Sequence, residues 1–273
     1  PPPLPLPIHT PHPTPDRDNS MTSLYVGGEP IALGVPSVLV SSPHVALPAC
    51  VALWLVVHMV ISSLLPEMKR ESDRFVWANR ITSLIHGLAS ASLAVPFTLS
   101  LEAFPTPVGK DNTDFATLIL QISFGYFVMD LGMGTLASVA DVAVCLHHVM
   151  CMLGMGYTLY TGRSGAELVT AIALGELTIP PFIIRWMLRH AHLGHSLFKL
   201  YVANDIVFFL SFFINRICLG LPFTLYIIAS PDGDVVIKSC AAIIAIISLL
   251  WFSIITSRTG RNISSYLVDG YWA

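Results

Sequence analysis

The sequence predicts an all-α fold, a polytopic bundle of about seven transmembrane helices. Six to eight spans fit the pattern, with the N-terminus lumenal and the C-terminus cytosolic. The chain is 54% hydrophobic and only 11% charged, and its mean hydropathy is +0.70. Soluble domains carry about 25% charged residues, so this chain cannot clothe a water-facing surface. Its apolar residues also fall in runs of about 20, the length that crosses a bilayer. A net charge of −3 over 273 residues, with no basic stripe, leaves no footprint for nucleic acid. Cys50, Cys145, Cys151, Cys218 and Cys240 lie in apolar runs without a CxxC pair. They read as small hydrophobes and not as disulfides or metal ligands.

The elements follow in order. The first twenty residues, PPPLPLPIHTPHPTPDRDNS, are proline-dense and precede Met21. They read as a disordered tail or as translated sequence upstream of the start, and the whole of 1–42 is expected to lie outside the bundle. No basic n-region followed by a short apolar stretch comes after Met21, so the first span is expected to direct insertion itself. Spans are predicted near 43–65, 81–101, 115–138, 142–160, 166–188, 197–219 and 236–256. Pro180–Pro181 should kink the fifth. The sixth run stays apolar to Ile228, with Gly220 and Pro222 placed to break or kink it. Residues 257–273 read as a short cytosolic tail. With no repeat and no soluble domain, this is one bundle.

Basic residues set the orientation. Lys69, Arg70, Arg74 and Arg80 lie between spans one and two, Arg185, Arg189 and Lys199 between five and six, and Arg258 and Arg261 after seven. With seven spans all three groups share one side, which is then cytosolic. Acidic residues fall opposite: Glu102, Asp111 and Asp114 in one loop, Asp232 and Asp234 in another. Asn262-Ile-Ser264 is a formal glycosylation sequon that this topology leaves in the cytosol.

Orientation brings scattered polar residues to one depth. His86, Asp130, the pair His147–His148, Glu176, Asn204 and Asp205 lie on five successive spans. At 1.5 Å per residue all fall about 8–14 Å from the cytosolic ends. Ionisable side chains at membrane depth are costly and mark functional sites by default. They are therefore read as one polar chamber facing the cytosol. In it His147 or His148 can act as general base, oriented by Asp130 or Glu176. His86, Asn204 and Asp205 would line the ligand site, and Arg185 and Arg189 would meet an anionic headgroup at its mouth. A plainer reading stands beside each. A buried His–carboxylate pair can simply pin helices, His86 and Asn204 can be packing hydrogen bonders, and the arginines can be topology anchors. The run HAHLGH (His190, His192, His195) reads as solvated loop, and no metal site is expected.

The order NRITSLIHG (79–87), YFVMD (126–130), LHHVMCMLG (146–154), GELTIPPFIIRWML (175–188) and FF-x-NR (212–216) resembles the TLC domain. That family includes ceramide synthases, the translocating-chain-associated membrane protein and smaller TLC-domain proteins. The resemblance covers about residues 45–256 and implies an endoplasmic-reticulum membrane protein of lipid metabolism or lipid homeostasis. In ceramide synthases a His pair on one helix is joined by a His-Asp pair on the next. His147–His148 match the first pair, whereas Gly175–Glu176 stand where the second would be, as in the smaller TLC-domain proteins. The expected function is lipid or acyl-chain binding in the chamber, with membrane lipids as partners and homo- or hetero-oligomers allowed. The alternative is an acyltransferase of ceramide synthase type, the His pair acting as base and acyl-CoA as co-substrate; no other cofactor is implied. A di-iron hydroxylase lacks its several His motifs, and a transporter lacks a charged path through both membrane halves.

Overall fold

A computed structural model of the chain describes residues 22–26, 29–33, 43–68, 70–100, 108–136, 141–190 and 197–269. After a two-stranded hairpin, β1 (Thr22–Val26) and β2 (Glu29–Leu33), come nine α-helices among the described residues. These are α1 (Pro43–Leu64), α2 (Glu71–Ser100), α3 (Asp114–Leu136), α4 (Val142–Thr161), α5 (Gly165–Glu176), α6 (Ile179–His190), α7 (Phe198–Phe212), α8 (Gly220–Ala229) and α9 (Val235–Asp269). A π-helical stretch, Phe213–Leu219, joins α7 to α8.

Seven helical segments are long and apolar enough to cross a membrane. α5 and α6 together make the fifth, and α7, the π stretch and α8 the sixth. The fold is thus the expected all-α multi-pass bundle. Two boundaries differ. α2 begins at Glu71 and not near 81, and α9 continues to Asp269 through most of the expected tail. Hydropathy marks only what sits in hydrocarbon, whereas a helix need not end at the interface. Glu71 and Asp73 in the first turn of α2 complement its dipole there. Within the expected N-terminal tail, β1 and β2 pair in antiparallel register, Val26 opposite Glu29. Gly27-Gly28 separates them in sequence, the composition of a two-residue hairpin connection.

Spans two to seven form a ring. α2 packs on α3, α3 on α4, α4 on α9, α9 on α7, α7 on α6, and both α5 and α6 return to α2. α1 lies outside the ring against α2 and α3, where Trp54 Nε1 donates to the Ile122 carbonyl at 2.9 Å.

Two local devices shape the ring. Pro180 and Pro181 lack N–H groups, so the carbonyls four residues earlier lose their helical donors. Ser211 Oγ donates instead to Leu177 O at 3.1 Å, and Asn204 Nδ2 donates to Pro181 O at 2.9 Å. Thr178 folds back on Gly175 O through its Oγ1 at 2.7 Å. Pro222 acts differently. Its ring would crowd the carbonyl four residues back, and the helix ahead of it widens so that the Gly220 N–H donates to Asn215 O, five residues away.

One end of the bundle carries the basic groups named above. The other end is closed by a polar seam. Glu167 Oε1 accepts from Gly109 N at 2.7 Å, Arg163 Nη2 donates to Gly109 O at 2.7 Å, and Tyr157 OH donates to Asp234 Oδ1 at 2.9 Å. Gly109 has φ +73°, and a Cβ there would strike the Asp232 carbonyl, so only glycine fits.

Candidate functional site: two buried His–carboxylate pairs and an apolar cavity

α4 is fixed at both ends. The Asp141 side chain accepts from Ala143 N at 2.7 Å, and Gly162 turns left-handed at φ +70° to end the helix. Between these caps His147 and His148 are adjacent, so they point about 100° apart and serve different neighbours.

His148 is buried and faces α3, with Nε2 2.8 Å from Asp130 Oδ2. Asp130 Oδ1 accepts from Asn79 Nδ2 of α2 at 2.9 Å. The other ring nitrogen, Nδ1, lies 2.9 Å from the Val144 carbonyl oxygen. A carbonyl can only accept, so Nδ1 carries a proton, and a second proton lies between Nε2 and Asp130. Both nitrogens are therefore engaged, and His148 has no lone pair to offer a substrate. Asp130 holds His148, and His147 is the histidine of the pair with a ring nitrogen that has no partner.

The second pair joins α2 to α5. His86 is fully buried, with Nδ1 3.4 Å from Glu176 Oε2 and Nε2 2.9 Å from Ser90 Oγ. Its ring stacks on Tyr126 with centroids 3.8 Å apart, and Tyr126 OH donates to Ser83 Oγ at 2.8 Å. Phe127 touches the rings of His86, His147 and His148, so the two pairs share one wall. Gly87 lets α6 approach, because a Cβ there would lie 2.9 Å from Ile179.

His147 turns toward the ring interior. Its Nε2 lies 3.6 Å from Cys151 Sγ one turn on, its ring packs against Trp251 of α9, and its Nδ1 is buried without a partner. It opens on a cavity of about 100 Å³ between α4, α5, the sixth span and α9. His147, Glu176 and Arg216 form one end of this cavity. The rest is mostly apolar, walled by residues such as Met155, Ile172, Ile227 and Ile244, with Thr224 and Glu167 among them. Along α4 the lining runs from His147 to Met155, and along α5 from Glu176 back to Glu167. The cavity thus leads away from the basic end and toward the Gly109 seam, opposite to the chamber expected from depth alone.

The remaining expected residues lie elsewhere. Asp205 is fully buried and pairs with Arg185 Nε, while its Oδ2 accepts from Asn262 Nδ2 at 3.0 Å. Asn262 also donates to Tyr201 OH at 3.3 Å. Arg185 lies over the rings of Tyr201 and Phe208. Asn204 serves the carbonyl of Pro181. These four residues tie spans five, six and seven together, and Arg189 is exposed at the basic end. The expected single chamber is therefore two clusters, and Arg185 and Asp205 satisfy each other instead of a ligand. His192 and His195 lie outside the described residues. His190 stacks on Trp186 at 4.2 Å.

Arg216 and Asn79 are the residues the sequence reading passed over. Arg216 stands midway along an apolar run, the same signal that singled out His147; Asn79 is uncharged and gave no such signal.

A family model described as the TLC domain matches residues 76–257. No solved structure matches the chain.

Proposed function

The chain belongs to the TLC-domain family, and from that premise we propose that it holds a lipid acyl chain in the ring cavity and acts in membrane lipid homeostasis. It is a multi-pass membrane protein of lipid metabolism. The matched region starts within α2 and ends within α9, so the family domain and the six-span ring are the same unit. The observation that carries the reading is the cavity inside that ring, whose walls are mostly hydrocarbon and which has His147, Glu176 and Arg216 together at one end. Mostly apolar pockets with a few convergent polar groups are the usual form of a small-ligand site. Family membership supports an endoplasmic-reticulum membrane location with membrane lipids as partners, and the grouping of basic residues supports an orientation with that end toward the cytosol.

The second reading, acyl transfer from acyl-CoA, rests on His147. It is the histidine of the pair with an unoccupied nitrogen, and it lines the cavity where an acyl carbonyl would arrive. His147 would take the proton from a lipid amine or hydroxyl, with Asp130 and His148 as scaffold.

The test is to purify the full chain in a neutral detergent, extract it for lipid mass spectrometry, and assay the same sample for acyl-CoA consumption. Acyl lipid retained at near-equimolar amounts without turnover supports the binding reading. Turnover that His147→Ala abolishes and His148→Ala only weakens supports the second. A sample that retains no more lipid than the detergent alone, with no turnover, contradicts both.

A further inference from the structure

Among the charged groups set deep in this bundle, Arg216 stands apart by its lack of a partner. Asp130 has His148 and Asn79, Glu176 has His86, Asp205 has Arg185 and Asn262, and Glu167 has the Gly109 amide. Arg216 Nε is buried with no hydrogen bond, and no described carboxylate oxygen lies within ion-pair distance of the guanidinium. Glu176, which lines the same cavity, is engaged by His86. Glu176 acts on the guanidinium only through space; a buried cation without a direct partner is expensive, and a protein retains one where a ligand completes it.

The arginine is also held in place. It sits on the π-helical stretch, a feature that recurs at functional sites. Its Nη2 lies 3.0 Å from where a Cβ of Gly175 would stand, so the guanidinium rests against the α5 backbone in a seat that any side chain there would crowd. His147 Nδ1, the other buried nitrogen without a partner in this cavity, lies at the same end. Beyond these two groups and Glu176, the wall is mostly hydrocarbon, with Thr224 and Glu167 further along it. A second, smaller cavity of about 50 Å³ also meets Arg216.

Resting on the cavity reading above, we infer that the occupant is a single-chain fatty carboxylate, with Arg216 as its headgroup clamp and Gly175 as the seat of that clamp. The guanidinium fork matches the two oxygens of a carboxylate. A cavity of about 100 Å³ suits one chain better than two joined by glycerol. About 12 Å of α4, from His147 to Met155, runs alongside it.

Oleate, oleyl alcohol and dioleoyl phosphatidate are the probes, each titrated into the delipidated full chain in neutral detergent with native mass spectrometry as readout. Oleate should bind at least tenfold more tightly than oleyl alcohol. Arg216→Gln should abolish that preference while leaving alcohol binding unchanged, and Arg216→Lys should restore it only partly. Removing an uncompensated charge should also raise the melting temperature of the ligand-free protein, which separates loss of a ligand contact from loss of fold. Equal affinity for oleate and oleyl alcohol, or full oleate affinity in Arg216→Gln, overturns the clamp and leaves the cavity reading standing. Tighter binding of phosphatidate than oleate overturns the carboxylate assignment. If none of the three probes binds the wild type, the cavity reading itself falls.

Discussion

Neighbours on an α-helix diverge by about 100°, and at His147 and His148 that divergence separates scaffold from reactive group. Loss of His148 leaves the Asp130 carboxylate buried with Asn79 as its one hydrogen-bond donor, at a cost of about 1–3 kcal/mol. His148→Ala and Asp130→Asn should therefore lower the melting temperature in detergent, whereas His147→Ala should leave it near wild type. The reverse order of stabilities would contradict this division. The Arg185–Asp205 pair is the sterner case, because the Asp205 side chain is 0% and the Arg185 side chain 13% exposed. Asp205→Ala strands a buried cation and should cost about 3–5 kcal/mol. Replacing both partners by leucine should cost less than either single change, and a double-mutant cycle on thermal unfolding measures it. The position of His148, Asp130 and Asp205 along their spans could be read from the sequence, because rise per residue is fixed. Which way each points could not. Rotation about the helix axis is set by packing, so His148 and Asp205 could be placed at one level but not assigned to different clusters.

At the scale of elements, the prolines decide the shape of the ring. Pro180–Pro181 announced a kink in the fifth span, and the break between α5 and α6 falls just before them. Gly220 and Pro222 were read as a break or kink in the sixth, and the helix instead widens and continues to Ala229. Hydropathy could not distinguish these outcomes, since both keep the run apolar; the difference lies in which carbonyls find other donors. Pro222→Ala returns an N–H to the helix and removes the crowding that favours the π turn. We expect that variant to fold but to rotate Arg216 out of its seat, so oleate selectivity should fall with it. Unchanged selectivity in Pro222→Ala would mean that the π stretch does not position the arginine. Gly175→Leu should have the same effect from the other side, by occupying the space the guanidinium now fills.

At the scale of the whole molecule, span count and fold class were legible because bilayer thickness fixes how long an apolar run must be. Ring closure was not, since a hydropathy profile carries no neighbours. The grouping of basic residues at one end predicts that a C-terminal tag is digested by protease added to sealed microsomes, and that Asn262 carries no glycan. A protected tag would invert the orientation. The engagement of Asn262 by Asp205 and Tyr201 also opposes a glycan, which would take one of the two Nδ2 hydrogens that make those bonds. The central claim, a lipid chain held inside the ring and not merely around it, is tested most directly by photocrosslinking. A fatty acid bearing a tail diazirine is bound to the full chain, irradiated, and the adducts are located by peptide mass spectrometry. The account predicts adducts on the cavity walls, at residues such as Met155, Ile172 and Ile244, reduced by excess unlabelled oleate. Adducts confined to outward-facing positions such as Leu53, Val56 and Tyr160, which are 53%, 51% and 90% exposed, and indifferent to competitor, would contradict it.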